Sequence, residues 1–153
     1  MSARELPSIR TALRMELACD FGRVRGVAEQ VLDFLKNHGC DDESRSDCEL
    51  ALVEACNNAI KYAGPSGCRF PVMLDVTVEA SAVEMRITDH GPGFDWPETA
   101  SLPDAESESG RGLYLIRALM DSAEYIRGDH ENTLVLRKKC FAAPLHGCGI
   151  VSG

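Results

Sequence analysis

Basic residues are scarce in this chain. Its 153 residues hold 16 Lys and Arg against 24 Asp and Glu, a formal net charge of −8, so it lacks the positive surface that wrapping a nucleic acid demands. No run approaches the ~18 consecutive apolar residues of a membrane span, and Met1–Arg14 lacks the apolar stretch of a secretory signal. There is no internal repeat, no C-x-x-C pair and no regular Cys/His ligand spacing. Seven cysteines stand at Cys19, Cys40, Cys48, Cys56, Cys68, Cys140 and Cys148, an odd number that cannot all pair within one chain. Most are read as small buried hydrophobes in a reducing cytosol, and a cytoplasmic protein is the expectation. A metal site built from Cys140, His146 and Cys148 is the alternative.

What is present suffices for a folded domain. Apolar residues make up 44% of the chain, enough to bury one core without disulfide staples and too many for a disordered segment. The expected organisation is one domain over residues 1–140, followed by a poorly ordered tail, 141–153, without periodicity.

Alternation of Leu13, Met15 and Leu17 predicts a strand over Arg10–Leu17. Val24, Val27, Val31, Leu32 and Leu35 recur at helical spacing over Phe21–Asn37, with Gly39 as a stop. Ser46-Asp47-Cys48-Glu49 has the pattern of a capping box and announces a helix to about Tyr62. Its core stripe is Leu52, Cys56, Ala59 and Ala63, flanked by Val53 and Ile60, and Ala63–Gly67 is a break. Strands follow at Val72–Val78 and Val83–Ile87, joined by a turn at Ala80-Ser81. Asp89–Ser109, rich in Gly, Pro, Ser and acids, is the one long loop. A helix over Leu113–Met120 and strands at Glu124–Arg127 and Thr133–Lys138 complete the order. That order implies an α+β fold, a two-layer sandwich with a mixed or antiparallel sheet and helices on one face. Lys138 and Lys139 are expected to guard an exposed strand edge.

Three pieces of this chain can carry chemistry. Glu54 and Asn58, four apart on the second helix with Lys61 nearby, project from one stripe offset from the core stripe. A carboxylate and an amide so placed can hold a magnesium shell and orient a hydroxyl, and a solvated helix face is the competing reading. Asp89-His90-Gly91-Pro92-Gly93-Phe94 ends the strand in which Val83, Met85 and Ile87 share parity with Asp89, so Asp89 closes the row facing the core. A carboxylate there needs a donor, which the amino group of a bound base would supply, while Gly91 and Gly93 let the backbone approach a flat ligand. The alternative is a glycine-rich turn in which Asp89 accepts local amides. Ser109-Gly110-Arg111-Gly112-Leu113 directly precedes the predicted third helix. Amides at a helix start and the Arg111 charge suit phosphate oxygens, and N-capping by Ser109 is the plainer explanation.

In this order and setting, the three pieces resemble the GHKL (Bergerat-fold) ATPase superfamily. The run Gly110-Arg111-Gly112-Leu113 through Ala118-Leu119-Met120-Asp121 is most similar to the anti-sigma-factor serine/threonine kinases of bacterial partner-switching systems. The resemblance implies ATP and Mg²⁺ as cofactors, Asn58 as the metal ligand and Glu54 as the general base or hydroxyl-orienting group. It implies that Asp89 binds the adenine amino group on a floor shaped by Gly91 and Gly93. Phe94–Ser109 would then be the lid, Ser109, Gly110, Arg111, Gly112 and Leu113 would meet the phosphates, and Thr133 would set a hydroxyl near the adenine. The chain departs from the family in two ways. Ser107 and Glu108 stand where a basic residue is common, and the lid is acidic (Asp95, Glu98, Asp104, Glu106, Glu108).

The implied partners are a STAS-type anti-anti-sigma protein, which carries the acceptor serine, and a sigma factor or analogous regulator. The resemblance implies no direct nucleic acid or membrane partner and leaves a homodimer open. Two other functions fit the same motifs. One is a nucleotide-dependent protein-binding regulator without kinase activity, and the other a detached histidine-kinase-type ATPase domain. The latter normally accompanies a helical hairpin with an acceptor histidine, and none of His38, His90, His130 and His146 lies in such a pattern.

Overall fold

The computed structural model describes residues 11–96 and 108–140, with the backbone alone for 108–110. Residues 1–10, most of the expected lid, and the tail with His146 and Cys148 lie outside the described residues. Five strands and three helices follow in the order β1 (Thr11–Leu17), a 3-10 turn (Phe21–Arg23), α1 (Val24–Asn37), α2 (Asp42–Gly67), β2 (Val72–Glu79), β3 (Ala82–Asp89), α3 (Glu108–Leu119), β4 (Ser122–Arg127) and β5 (Asn132–Lys139). The strands form one sheet ordered β1-β2-β3-β5-β4, and every neighbouring pair is antiparallel.

The register explains the two layers. Met15, Leu74, Ile87 and Leu134 align across four strands, as do Leu13, Val76, Met85 and Leu136. Side chains directly opposite one another in an antiparallel sheet share a face, and these rows pack against Val27, Val31 and Leu35 of α1, Leu52 and Cys56 of α2, and Ile116 of α3. The opposite face is polar. There Arg14 pairs with Asp75 at 3.3 Å, and Glu84 receives Arg86 at 2.8 Å and Arg137 at 2.9 Å. Hydrogen bonds from these arginines, Arg86 first, hold the Glu84 carboxyl below its usual range against the effect of burial.

Three expectations are corrected. The helix assigned to a capping box at Ser46 starts earlier, because the Asp41 side chain accepts from the Ser44 amide and makes Asp41 the cap. The expected break is real, since Gly64 leaves helical geometry at φ 71° and Pro65 follows it, but a last turn continues to Gly67. Lys138 guards no edge, because β5 is an interior strand. Its ammonium group reaches Asp47 at 3.1 Å and the Leu119 carbonyl at 2.6 Å, tying β5 to α2 and to the C-terminus of α3. A cation there also complements the helix dipole. Although burial alone would lower it, the Asp47 contact raises the Lys138 pKa.

Candidate functional site

The site assembles where α2, the end of β3 and the start of α3 meet. Asp89 is the last inward residue of β3, and only 6% of it is exposed. Its Oδ1 accepts from the Gly91 amide at 2.8 Å and from Asn132 Nδ2 at 3.3 Å. Neither bond uses Oδ2. An ionised carboxylate offers about four lone-pair positions, so capacity remains for an incoming donor. The local-turn reading of Asp89 is therefore correct and yet leaves room for a ligand.

Gly91 lies against α2 so closely that a β-carbon there would fall 2.5 Å from the Tyr62 carbonyl oxygen and 2.6 Å from the Ala63 Cα. That contact is about one turn beyond Asn58 on the same helix, which brings the β3 end and the polar stripe of α2 to one place. Gly93 adopts φ +81°, a left-handed conformation that favours glycine. Arg127 locks this loop by donating to the Pro92 carbonyl at 2.9 Å.

Gly112 brings in the third piece. A β-carbon on it would stand 2.8 Å from Glu54 Oε2 and 3.6 Å from Asn58 Nδ2. A β-carbon there would push the flexible end of Glu54 aside, so glycine lets α3 pack over these two groups without displacing the carboxylate. Asn58 is 8% exposed, and its Nδ2 has no hydrogen-bond partner among the described residues. A buried amide left unpaired costs roughly 1–3 kcal/mol, and in a native structure such a donor calls for a role or for an acceptor from outside the chain. The unpaired Nδ2 is a donor and does not itself ligate a cation; the hard-oxygen groups that suit magnesium here are the Asn58 amide oxygen and the Glu54 carboxylate beside it.

The helix start differs from the expectation. α3 begins at Glu108, so Ser109, Gly110, Arg111 and Gly112 belong to its first turns rather than leading into it. The first N–H groups of a helix lack intrahelical partners, and among the described residues these are the amides of Glu108, Ser109 and Gly110. Arg111 is exposed and Leu113 is buried in the core side of the helix.

Thr133 does not join the site. It pairs with Thr88 across β3 and β5, and the two hydroxyl oxygens lie 2.9 Å apart. Thr88 and Asp89 are consecutive on one strand and so face opposite sides of the sheet, which puts Thr133 on the far face. The neighbouring Asn132, paired with Asp89 in the register, faces the site instead. It is 2% exposed and donates to both Asp89 and the Gly91 carbonyl, the latter at 2.8 Å. Its place was one residue away in the sequence, and strand parity with Leu134 and Leu136 was the available signal. Tyr125 shares that face, and its pKa is raised by burial and then by the Asp89 charge.

Residues 17–138 match the family described as Histidine kinase-like ATPase domain. The chain belongs to that family, and its sheet and helices have the fold that the GHKL resemblance implied. Its relatives narrow the class further. Serine-protein kinase RsbW of Bacillus pumilus (strain SAFR-032) is 33% identical over 54% of this chain and 57% of that protein. Serine-protein kinase RsbW of Bacillus subtilis (strain 168) is 30% identical over 58% of this chain and 71% of its own length. The protein of the same name from Oceanobacillus iheyensis is 31% identical, over 65% and 69% respectively. Within the family, the chain therefore belongs with the RsbW-type serine-protein kinases. The match spans little more than half the length of the B. pumilus relative.

Solved structures agree on the fold. The RsbU and RsbW domains of Rv1364c from Mycobacterium tuberculosis superpose with a TM-score of 0.65 at 18% identity, covering 85% of this chain and 32% of that one. The SiaB-SiaC complex from Pseudomonas aeruginosa gives a TM-score of 0.54 at 12% identity, covering 82% and 87%.

Proposed function

We propose that this chain is a protein serine kinase that binds Mg-ATP and passes the γ-phosphoryl group to a serine on a STAS-type anti-anti-sigma protein. In the same reading it holds a sigma factor or analogous regulator when that serine is phosphorylated. The observation that carries the proposal is the approach of Gly112 to both Glu54 and Asn58, which makes one site of the helix start and the polar stripe. The similarity to serine-protein kinases favours a serine over a histidine acceptor.

Each residue then has a physical task. Asp89 accepts the amino group of the purine through its unused oxygen, and Asn132 holds the carboxylate in place from behind. Gly91 and Gly93 keep the floor of the pocket free of side chains. Asn58 would hold Mg²⁺ through its amide oxygen, and the ion supplies neutralisation of triphosphate charge. The first amides of α3, including those of Ser109 and Gly110, would meet the phosphate oxygens, Gly112 lets the helix approach Glu54, and Arg111 adds a charge that offsets the acidic lid. Glu54 receives the serine proton and aims its oxygen. Phosphoryl transfer has a loose transition state, so alignment and charge neutralisation matter more than strong base catalysis.

Incubation with labelled ATP and each STAS-type protein of the same organism tests this directly. One acceptor should become labelled on serine. Glu54→Gln keeps size and polarity but removes the base, so transfer should fall by at least about a hundredfold while nucleotide affinity stays within about twofold. Undiminished transfer by that variant would remove the role of Glu54. Tight nucleotide binding with no labelled acceptor would instead favour a binding regulator without catalysis.

A further inference from the structure

Away from the nucleotide site, three cysteines from distant parts of the chain meet in the core. Cys40 lies between α1 and α2, Cys48 is in the second turn of α2, and Cys140 follows β5. They are 2%, 1% and 4% exposed. The Cys40 and Cys140 sulfurs lie 2.7 Å apart. Thiolates around a tetrahedral zinc, with Zn–S bonds of about 2.3 Å, stand about 3.8 Å from one another, so the pair is too close for that use. It is within ~0.7 Å of a disulfide bond length.

The surroundings prepare the pair for oxidation. Hydrogen bonds from Cys48, and then from Cys40 and Ser44, lower the Cys140 thiol to about 6 although burial opposes them, whereas burial pushes Cys40 up. These opposite directions favour the thiolate on Cys140 and the proton on Cys40. Both backbones are held, Cys140 donating its amide to the Ser81 carbonyl at 2.7 Å and Cys40 to the Leu35 carbonyl at 3.0 Å. A crevice of about 70 Å³, lined by His38, Gly39, Val78 and Ser81, leads to the two cysteines and is large enough for a peroxide.

We propose that Cys40 and Cys140 form a peroxide-sensitive thiol pair that closes to an intramolecular disulfide. The Cys140 thiolate attacks one oxygen of hydrogen peroxide and breaks the O–O bond, giving a sulfenic acid and hydroxide, which is protonated to water. The Cys40 sulfur then attacks the Cys140 sulfur and expels its hydroxyl, which leaves as a second water with the Cys40 proton. Two thiols lose two electrons and two protons, and the peroxide is reduced to two waters. The bond would join the α1–α2 junction to the end of β5 across 100 positions of sequence. It is remote from the proposed catalytic groups, since Glu54 lies twelve residues, about 18 Å, beyond the start of α2.

Peroxide treatment of the reduced chain in the presence of a chelator, followed by non-reducing peptide mapping, tests the proposal. The intact mass should fall by about 2 Da. Trypsin should release Asn37–Arg45, which contains Cys40 alone, joined to the C-terminal peptide that begins at Cys140, and fragmentation should place the bond on Cys140 rather than Cys148. The melting temperature should rise by ~5–10 °C and return on reduction. In Cys40→Ser, dimedone should trap a sulfenic acid on Cys140. Alkylation of both thiols after peroxide, or a bond to Cys19, Cys68 or Cys148, would overturn the proposal. So would stoichiometric zinc that survives dialysis of the reduced chain and shields the three thiols.

Discussion

Gly91 and Gly26 differ in surroundings more than in sequence context. A β-carbon at Gly91 meets the backbone of Tyr62 and Ala63 at 2.5 and 2.6 Å, whereas one at Gly26, inside α1, meets nothing within 4 Å. Backbone atoms cannot rotate away, so Gly91→Ala should destabilise the fold by about 1–3 kcal/mol through overpacking and weaken nucleotide binding as well. Gly26→Ala should stabilise by ~0.5–1 kcal/mol from helix propensity alone. Urea denaturation of both variants checks the contrast, and a neutral Gly91→Ala would mean that the β3 end does not rest on α2 as described. Glu54, Asn58, Asp89 and Gly112 were legible because each sits at a fixed spacing within a motif or ends a periodic row. Asn132 was harder to read, because its parity with Leu134 and Leu136 marks it only as inward-facing. The register with Asp89 and the bonds to Asp89 and the Gly91 carbonyl reveal its task.

Element boundaries were hardest to read where polar residues crowd a helix start. Asp41, Asp42, Ser44, Ser46 and Asp47 all have N-cap chemistry, and the sequence alone cannot rank them. The structure selects Asp41 by its bond to the Ser44 amide at 3.1 Å. The start of α3 is hard to read for a related reason, since two glycines suggest a lead-in, whereas Gly112 lies inside the helix and packs against Glu54 and Asn58. The strands were easier, because one face is buried and the period is two. Their hairpin holds a local conflict. Ala80 and Ser81 join β2 to β3 with φ of 50° and 65°, a two-residue turn that Asn-Gly adopts with less strain. Ala80→Asn with Ser81→Gly should therefore stabilise the chain by about 0.5–1.5 kcal/mol. The Ser81 carbonyl that receives the Cys140 amide would be retained. A shift of the denaturation midpoint to higher urea at unchanged slope is the expected signature, and a lower midpoint would contradict the turn geometry.

Across the whole molecule, helices and sheet share one core, while the proposed site lies at its margin and joins elements far apart in sequence. α2 supplies Glu54 and Asn58, which α3 covers through Gly112, and β3 supplies Asp89. A ligand seated there contacts elements that must otherwise separate on unfolding, so its binding energy adds to global stability by mass action. At a hundredfold excess over Kd this is about 2.7 kcal/mol, or a rise in melting temperature of ~5–10 °C for a chain of this size. Mg-ATP should produce that rise, and ATP with chelator should produce much less. Asn58→Ala should abolish the difference between the two, because it removes the amide assigned to the metal. It should also leave the unliganded chain as stable as before or more so, since an unpaired buried amide is deleted with it. Two outcomes would point elsewhere. Equal shifts with and without magnesium in the unaltered chain would detach the cation from Asn58, and a strong loss of unliganded stability in the variant would make that residue a structural one.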